Sequence, residues 1–270
     1  MAMISKNPSR NAERLRMYNG FDLSGKIAVV TGSTTGIGFA IARGLAQCGA
    51  KIVVSSDTQQ DTDQAAHRLA AEGYDAKGVR CDILKDGEIA LFANGAIRAY
   101  GRADILFCLA AGPAPIGPIT ELAPSSLSEM LITTVSNNLA LIQQFLPGMA
   151  ERRDGSIVVM SSIASMRANP ILGGYGASKA ALNGLVRSLA VECGGSNIRV
   201  NALAPSVVRT AFSKDLWSDP EREKIILAKI PAKRIAEAED IVGAAILLAS
   251  PAGSYISGQV LRIDGARSVT

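Results

Sequence analysis

A parallel, doubly wound α/β sheet is the fold class predicted by the 270-residue sequence, and three observations predict it. Short β-branched runs alternate with stretches whose apolar residues recur at spacings of three and four, the mark of successive strand–helix units. The runs are nearly continuous in apolar residues rather than alternating, as strands covered on both faces require. A glycine-rich turn follows the first run and opens the first helical pattern, which is where free backbone N–H groups can face an anion.

The elements follow in order. The opening MAMISKNPSRNAERLRMYNG carries Lys6, Arg10, Arg14 and Arg16 without an apolar stretch. It predicts an N-terminal extension over 1–20, a flexible or partner-docked tail rather than a signal or transit peptide. A single domain is expected over 21–270. Its first strand is KIAVVT from Lys26, followed by a helix from Ile37 to Ala46, and its second is KIVVSS from Lys51. The only histidine, His67, falls in a polar helical pattern and is expected at the surface. ADILFCLA from Ala103 leads into an irregular stretch over 112–124, then a helical pattern from Leu127 to Met149. GSIVVMSS from Gly155, a helix from Ala177 to Cys193 and IRVNALA from Ile198 come next, and a second irregular stretch covers 206–220. Both irregular stretches lie downstream of strands, where sheets of this kind bind ligands, and they are the expected substrate loops.

Composition removes several classes of function. Lys and Arg number 28 against 24 Asp and Glu, a net charge of +4 with no basic stripe, so nucleic-acid binding is not expected. Cys48, Cys81, Cys108 and Cys193 are widely separated and only one histidine is available, so no metal site is expected. No stretch reaches the roughly 18 uninterrupted apolar residues of a membrane span. A cytoplasmic, reducing setting without membrane contact is the expectation.

Three groups of residues carry chemistry. In Thr31-Gly32-Ser33-Thr34-Thr35-Gly36-Ile37-Gly38, glycines allow a tight turn and close approach of a pyrophosphate, although a tight connection alone would look the same. Its spacing is not G-x-G-x-x-G. Tyr175 and Lys179 are four apart and share a helix face. An ammonium near a phenol favours the ionised phenol, so the pair can trade a proton; a surface Tyr with a solvated Lys gives the same spacing. Ser161 and Ser162 close the run from Gly155, where a hydroxyl can hold a carbonyl oxygen or simply cap a turn.

In order and spacing, the glycine turn, a serine thirteen before the tyrosine and a lysine four after it resemble the short-chain dehydrogenase/reductase family. The likeness spans about residues 22–266 and includes LSGKIAVVTG, Cys81-Asp82, IRVNALAP and SYISGQVLRIDG. It implies a single-domain, Rossmann-like sheet and hydride transfer between a nicotinamide cofactor and the carbon of a ketone or secondary alcohol. By that resemblance Tyr175 is the general acid/base, and Lys179 binds the nicotinamide ribose and depresses the tyrosine pKa. Ser162, rather than Ser161, holds the substrate oxygen. Gly32, Thr34, Thr35, Gly36, Ile37 and Gly38 correspond to the pyrophosphate turn, Asp82 and Ile83 to the adenine contact, and Pro205, Val208 and Thr210 to the nicotinamide contacts. SSD at Ser55, AAGPAPIGP at Ala110 and VVRTAFSKDLWSDP at Val207 look most like members that act on small, largely apolar carbonyls or alcohols.

The chain departs from the family pattern at three places. Cys108-Leu109-Ala110-Ala111 stands where members read N-N-A-G, so Ala110 and Ala111 line the cofactor without the usual asparagine. Val159 replaces another asparagine. Thr134 stands in place of the helix asparagine of the proton relay, counted thirteen before Pro147, the proline expected to end that helix. Asn138, one turn on, either serves instead or is, with Asn137, an exposed helix residue. Arg209 and Trp217 fall in the segment resembling a substrate lid; Arg209 is expected to be solvated or to meet an acidic substrate group.

The end of the second strand, Ser55-Ser56-Asp57, governs the choice of cofactor. A carboxylate suits a ribose 2′-hydroxyl, whereas a 2′-phosphate needs positive charge or donors. NAD is therefore expected through Asp57, with NADP as the alternative because Ser55 and Ser56 can donate. The resemblance also implies a homotetramer built on the two long helical stretches. A dinucleotide-binding regulatory or scaffold subunit without turnover is the competing function, and enoyl reduction is disfavoured by the serine–tyrosine–lysine spacing.

Overall fold

A computed structural model describes residues 18–269 apart from Asp86. The expected extension lies, up to residue 17, outside the described residues. Seven parallel strands form one sheet: β1 (Ile27–Val30), β2 (Lys51–Val54), β3 (Ala76–Gly78), β4 (Ile105–Cys108), β5 (Gly155–Met160), β6 (Ile198–Pro205) and β7 (Val260–Ile263). Their order is β3-β2-β1-β4-β5-β6-β7. The order reverses between β1 and β4, and the crevice outside the carboxyl ends of these two strands is where a doubly wound sheet binds its ligand.

Nearly continuous apolar strands arise because both faces are covered. Val30, Ile52, Val54, Phe107 and Val158 pack on one face with α1 (Gly36–Gln47), α2 (Gln59–Ala71) and α9 (Glu239–Ala249). Val29, Val53, Leu106, Ile157 and Val200 pack on the other with α3 (Glu88–Tyr100), α5 (Asn137–Arg152) and α6 (Gly173–Gly194). Successive strand residues thus serve opposite cores. At the amino end of the sheet the carboxylate of Asp104, 3% exposed, accepts the Ile27 amide at 2.9 Å and the Arg102 guanidinium at 3.0 Å.

The helical pattern from Leu127 to Met149 is not one regular helix. It comprises α4 (Pro124–Leu131), a π-helical turn over Ile132–Ser136 and α5. The Asn137 amide reaches back five residues to the Ile132 carbonyl, so one extra residue is accommodated without breaking the rod. Pro147 lies inside α5 rather than ending it. The carbonyl that its missing N–H would have served belongs to Gln143, on the exposed side, where water can take over. After β6 come two short helices, α7 (Lys214–Trp217) and α8 (Pro220–Ala228).

Candidate active site

The glycine turn sits between β1 and α1, at the point where strand order reverses. Gly32 has φ 60° and Gly36 φ 52°; a Cβ on Gly38 would lie 2.0 Å from the Gly32 carbonyl oxygen, so only glycine lets the turn fold onto itself. Thr35 is extended and its side chain does not cap α1, whose first turn carries no acidic residue. By contrast, Thr58 caps α2 and Asp219 caps α8 with their own side chains. The α1 start thus keeps its N–H groups and its positive dipole end for a ligand. Thr34 is half-buried in the turn and Ile37 packs on the first core.

Two hydroxyls that the sequence reading passed over fasten this turn to its neighbours. Thr31 Oγ1 accepts the amides of Leu109 and Ala110 at 3.1 and 3.3 Å, tying β1 to the end of β4. Ser33 Oγ donates to the Val30 carbonyl at 2.6 Å and accepts the Ser55 amide at 2.9 Å. Gly32, Ala110 and Ser55 are thereby gathered at one end of the sheet, while Ala111 is exposed at the head of the following loop. Ser55 is 1% exposed and its hydroxyl has no partner among the described residues, a group suited to a polar ligand. Asp57, one residue past Ser56, is exposed and accepts the Ser56 hydroxyl at 3.0 Å. Asp82 accepts the Leu84 amide and pairs with Lys85 at 3.4 Å, and the Ile83 carbonyl accepts Asn137 Nδ2 at 2.6 Å.

At the ends of β5 and β6 the structure brings Ser162, Tyr175 and Lys179 together. Ser162 closes the strand in an extended conformation and its Oγ accepts the Ala164 amide at 3.2 Å, so the turn-capping role is real. The same side chain lies near enough to Tyr175 to pull the tyrosine pKa down. Ser161 is buried and turned toward Ser165 at 3.4 Å. Lys179 is 4% exposed, donates to the Met160 carbonyl at 2.8 Å and has its Nζ 5.6 Å from the centre of the Tyr175 ring.

Burial acts in opposite directions on these two groups. It lowers the Lys179 pKa to about 8, because an ammonium loses hydration there. It raises that of Tyr175, with Ser162 pulling partly back. The expected depression of the tyrosine by Lys179 is therefore not what the protein alone displays: burial dominates the tyrosine, only Ser162 opposes it, and the lysine itself is lowered. The surface-Tyr alternative is excluded, since Lys179 is buried.

Thr134 sits in the π turn, 8% exposed, and its carbonyl accepts Asn138 Nδ2 at 2.7 Å. Asn138 is 7% exposed and Asn137 is bonded to Ile83, so the expectation that both are solvated is corrected. Both asparagines directly follow the π turn, at the start of α5. Pro205 is buried at the end of β6, Val208 is 3% exposed, and the Thr210 methyl would lie 3.1 Å from a Cβ on Gly36, so the segment after β6 meets the glycine turn. Arg209 is partly exposed, its side chain 36% accessible, and its charge is already paired within the chain. It pairs with Glu223 of α8 and, at 3.4 Å, with Glu237, and its guanidinium lies 5.2 Å over the Trp217 ring. Trp217 Nε1 donates to Ser213 Oγ at 3.0 Å, and Ser213 donates to the Val208 carbonyl. His67 is exposed, as expected. Among the described residues no cluster of three metal-ligating side chains occurs, and no helix is long and apolar enough to cross a membrane.

The comparisons agree with this geometry. A family model described as "Enoyl-(Acyl carrier protein) reductase" matches residues 32–266. The chain is 42% identical over 243 residues to dehydrogenase/reductase SDR family member 4 of Bos taurus, covering 90% of this chain and 87% of that protein. Among solved structures, a putative NAD(P)-dependent gluconate 5-dehydrogenase from Beutenbergia cavernae with bound NADP is 37% identical, at TM-score 0.88 over 93% of this chain and all (100%) of that one. A 7α-hydroxysteroid dehydrogenase complexed with NADH and a 7-oxo bile acid conjugate is 34% identical, at TM-score 0.87 over 92% and 97%. With its glycine turn at the reversal of strand order and its serine, tyrosine and lysine drawn together on the carboxyl side of the sheet, the chain belongs to the short-chain dehydrogenase/reductase family and is an NAD(P)-dependent oxidoreductase.

Proposed function

We propose that the protein interconverts a secondary alcohol and a ketone, with Tyr175 as general acid/base, Ser162 holding the substrate oxygen and Lys179 supporting both. The observation that carries this reading is the convergence of Ser162 at the end of β5 with Tyr175 and a buried Lys179, whose Nζ lies 5.6 Å from the Tyr175 ring centre and donates to the Met160 carbonyl. It sets two hydroxyls side by side where one substrate oxygen can meet both. A bound nicotinamide supplies the hydride chemistry. Gly32, Thr34, Thr35, Gly36, Ile37 and Gly38 would hold its pyrophosphate, Asp82 and Ile83 the adenine, and Ala110, Ala111, Pro205, Val208, Thr210 and Lys179 the nicotinamide half. In reduction Tyr175 gives its proton to the carbonyl oxygen. Lys179, whose pKa near 8 lets it exchange a proton close to neutrality, recharges the tyrosine, with Thr134 and Asn138 linking it to solvent.

Exposed apolar side chains on the loops after β4, β5 and β6, Ile116, Ile119, Met166, Ile171 and Phe212, support a small, largely apolar substrate. NAD is read as the preferred cofactor through the Asp57 carboxylate. The protein is read as a cytoplasmic homotetramer, on its four unpaired cysteines and on the exposed face of α6 respectively. The test is a turnover screen on alcohols and ketones with both cofactors, for wild type and Tyr175→Phe. The variant is expected to lose at least about 10²-fold in kcat while binding cofactor normally. Near-wild-type turnover sinks the assignment, and cofactor binding without turnover on any substrate favours the regulatory-subunit alternative.

A further inference from the structure

The carboxyl end of β2 carries a cation that comes from elsewhere in the chain. Pairing between the second and third strands continues past their regular ends, where the Cys81 amide donates to the Ser56 carbonyl at 2.8 Å. This sets Arg80 next to Asp57, 23 residues earlier, and Arg80 Nη1 donates to the Asp57 carbonyl oxygen at 3.0 Å. Its Nη2 donates to Glu88 Oε1 at 2.5 Å, and the other Glu88 oxygen accepts the Asp82 amide at 2.8 Å. The guanidinium is thus held at two points by β2 and the start of α3, with its side chain 33% exposed. The Asp57 carboxylate accepts from Ser56, so Arg80 touches Asp57 through the backbone and the two charges are not joined as an ion pair.

We infer that Arg80 is the group that receives the 2′-phosphate of NADP(H), so that cofactor choice is set by Asp57 and Arg80 together rather than by Asp57 alone. This rests on the dinucleotide reading of the site. At the end of the second strand a carboxylate serves a ribose 2′-hydroxyl and a nearby arginine serves a 2′-phosphate; this chain presents both. A guanidinium offers five N–H groups in a rigid fork, and two are engaged by Asp57 and Glu88. The remainder suit the bidentate contact that phosphate favours. Glu88 orients the fork and also offsets part of its charge, while the Asp57 carboxylate beside it remains available to a ribose hydroxyl. The consequence is acceptance of both cofactors rather than strict selection of NADP(H).

Binding, rather than turnover, tests this. NADPH and NADH are titrated by fluorescence against wild type, Arg80→Ala and Arg80→Met, with 2′-AMP and 5′-AMP as competitors; the methionine keeps the aliphatic stem should the alanine variant fold poorly. Both variants are expected to weaken NADPH and 2′-AMP at least about tenfold, the effect of losing one charge-assisted contact, and to change NADH and 5′-AMP less than about twofold. Equal weakening of both cofactors would show a purely structural arginine and overturns the inference, as does unchanged NADPH binding or an absence of saturable NADPH binding to wild type. None of these outcomes bears on whether Tyr175 turns over an alcohol, so the two proposals fail separately.

Discussion

Lys179 carries an ammonium into a nearly fully buried place, 4% exposed. Its pKa falls from 10.5 to about 8 because burial penalises the charged form, so the folded state gives up this proton before the unfolded chain does. Below about pH 8 both states are charged and the folded one bears the cost. As pH rises from about 8 toward 10.5 the unfolded state binds more protons, and stability climbs. At ~1.4 kcal/mol per unit the full effect is roughly 3 kcal/mol. Urea unfolding of wild type and Lys179→Met across this window is expected to show the wild type gaining on the variant as pH rises; a flat difference contradicts it. Tyr175, raised by burial, has the opposite sign above about pH 10 and is present in both proteins. Ser162, Tyr175 and Lys179 were legible because their spacing in the chain equals their arrangement on one strand end and one helix face. Arg80 and the pairing of Arg209 were not: each depends on strand or loop packing between segments that sequence distance hides.

At the scale of elements, five strands were visible as continuous apolar runs because both faces are buried. Two were less so. β3 and β7 lie at the sheet edges and are only half-buried or exposed, and in three or four residues neither shows a clear period. The π turn was invisible for a different reason: apolar residues continue through Leu131, Ile132 and Val135, and one inserted residue shifts the phase without interrupting it. Within that turn the proposed relay rests on the Asn138–Thr134 contact. Asn138→Ala leaves the buried Thr134 carbonyl without its side-chain donor and is expected to cost about 1–3 kcal/mol of stability, with a fall in kcat. Thr134→Ala keeps that carbonyl and is expected to do less on both counts. Denaturation and steady-state kinetics check the ranking, and the reverse order would place the relay on the threonine hydroxyl instead.

At the scale of the whole molecule, α6 turns Leu182, Val186 and Leu189 to the core and leaves Ala177, Ala180, Ala181 and Val191 outside, the last 84% exposed. A narrow face of small and apolar residues can serve two copies through an isologous contact. Sedimentation equilibrium is expected to give a tetramer, and a mass equal to one chain at every concentration would refute it.

Strand order also dictates a timetable. β1 is the hinge of the sheet, yet its β4-side neighbour arrives late: the Ile27 amide and the Asp104 carboxylate that receives it are 77 residues apart. During synthesis at 5–20 residues per second that gap lasts roughly 4 to 15 seconds, during which KIAVVT has β2 on one side and an open hydrogen-bonding edge on the other. Closing so long a loop before any contact rewards it makes such pairing slow. The nascent chain therefore carries an apolar edge available to other chains until β4 seals it, and the yield of folded enzyme depends on how well that interval is protected.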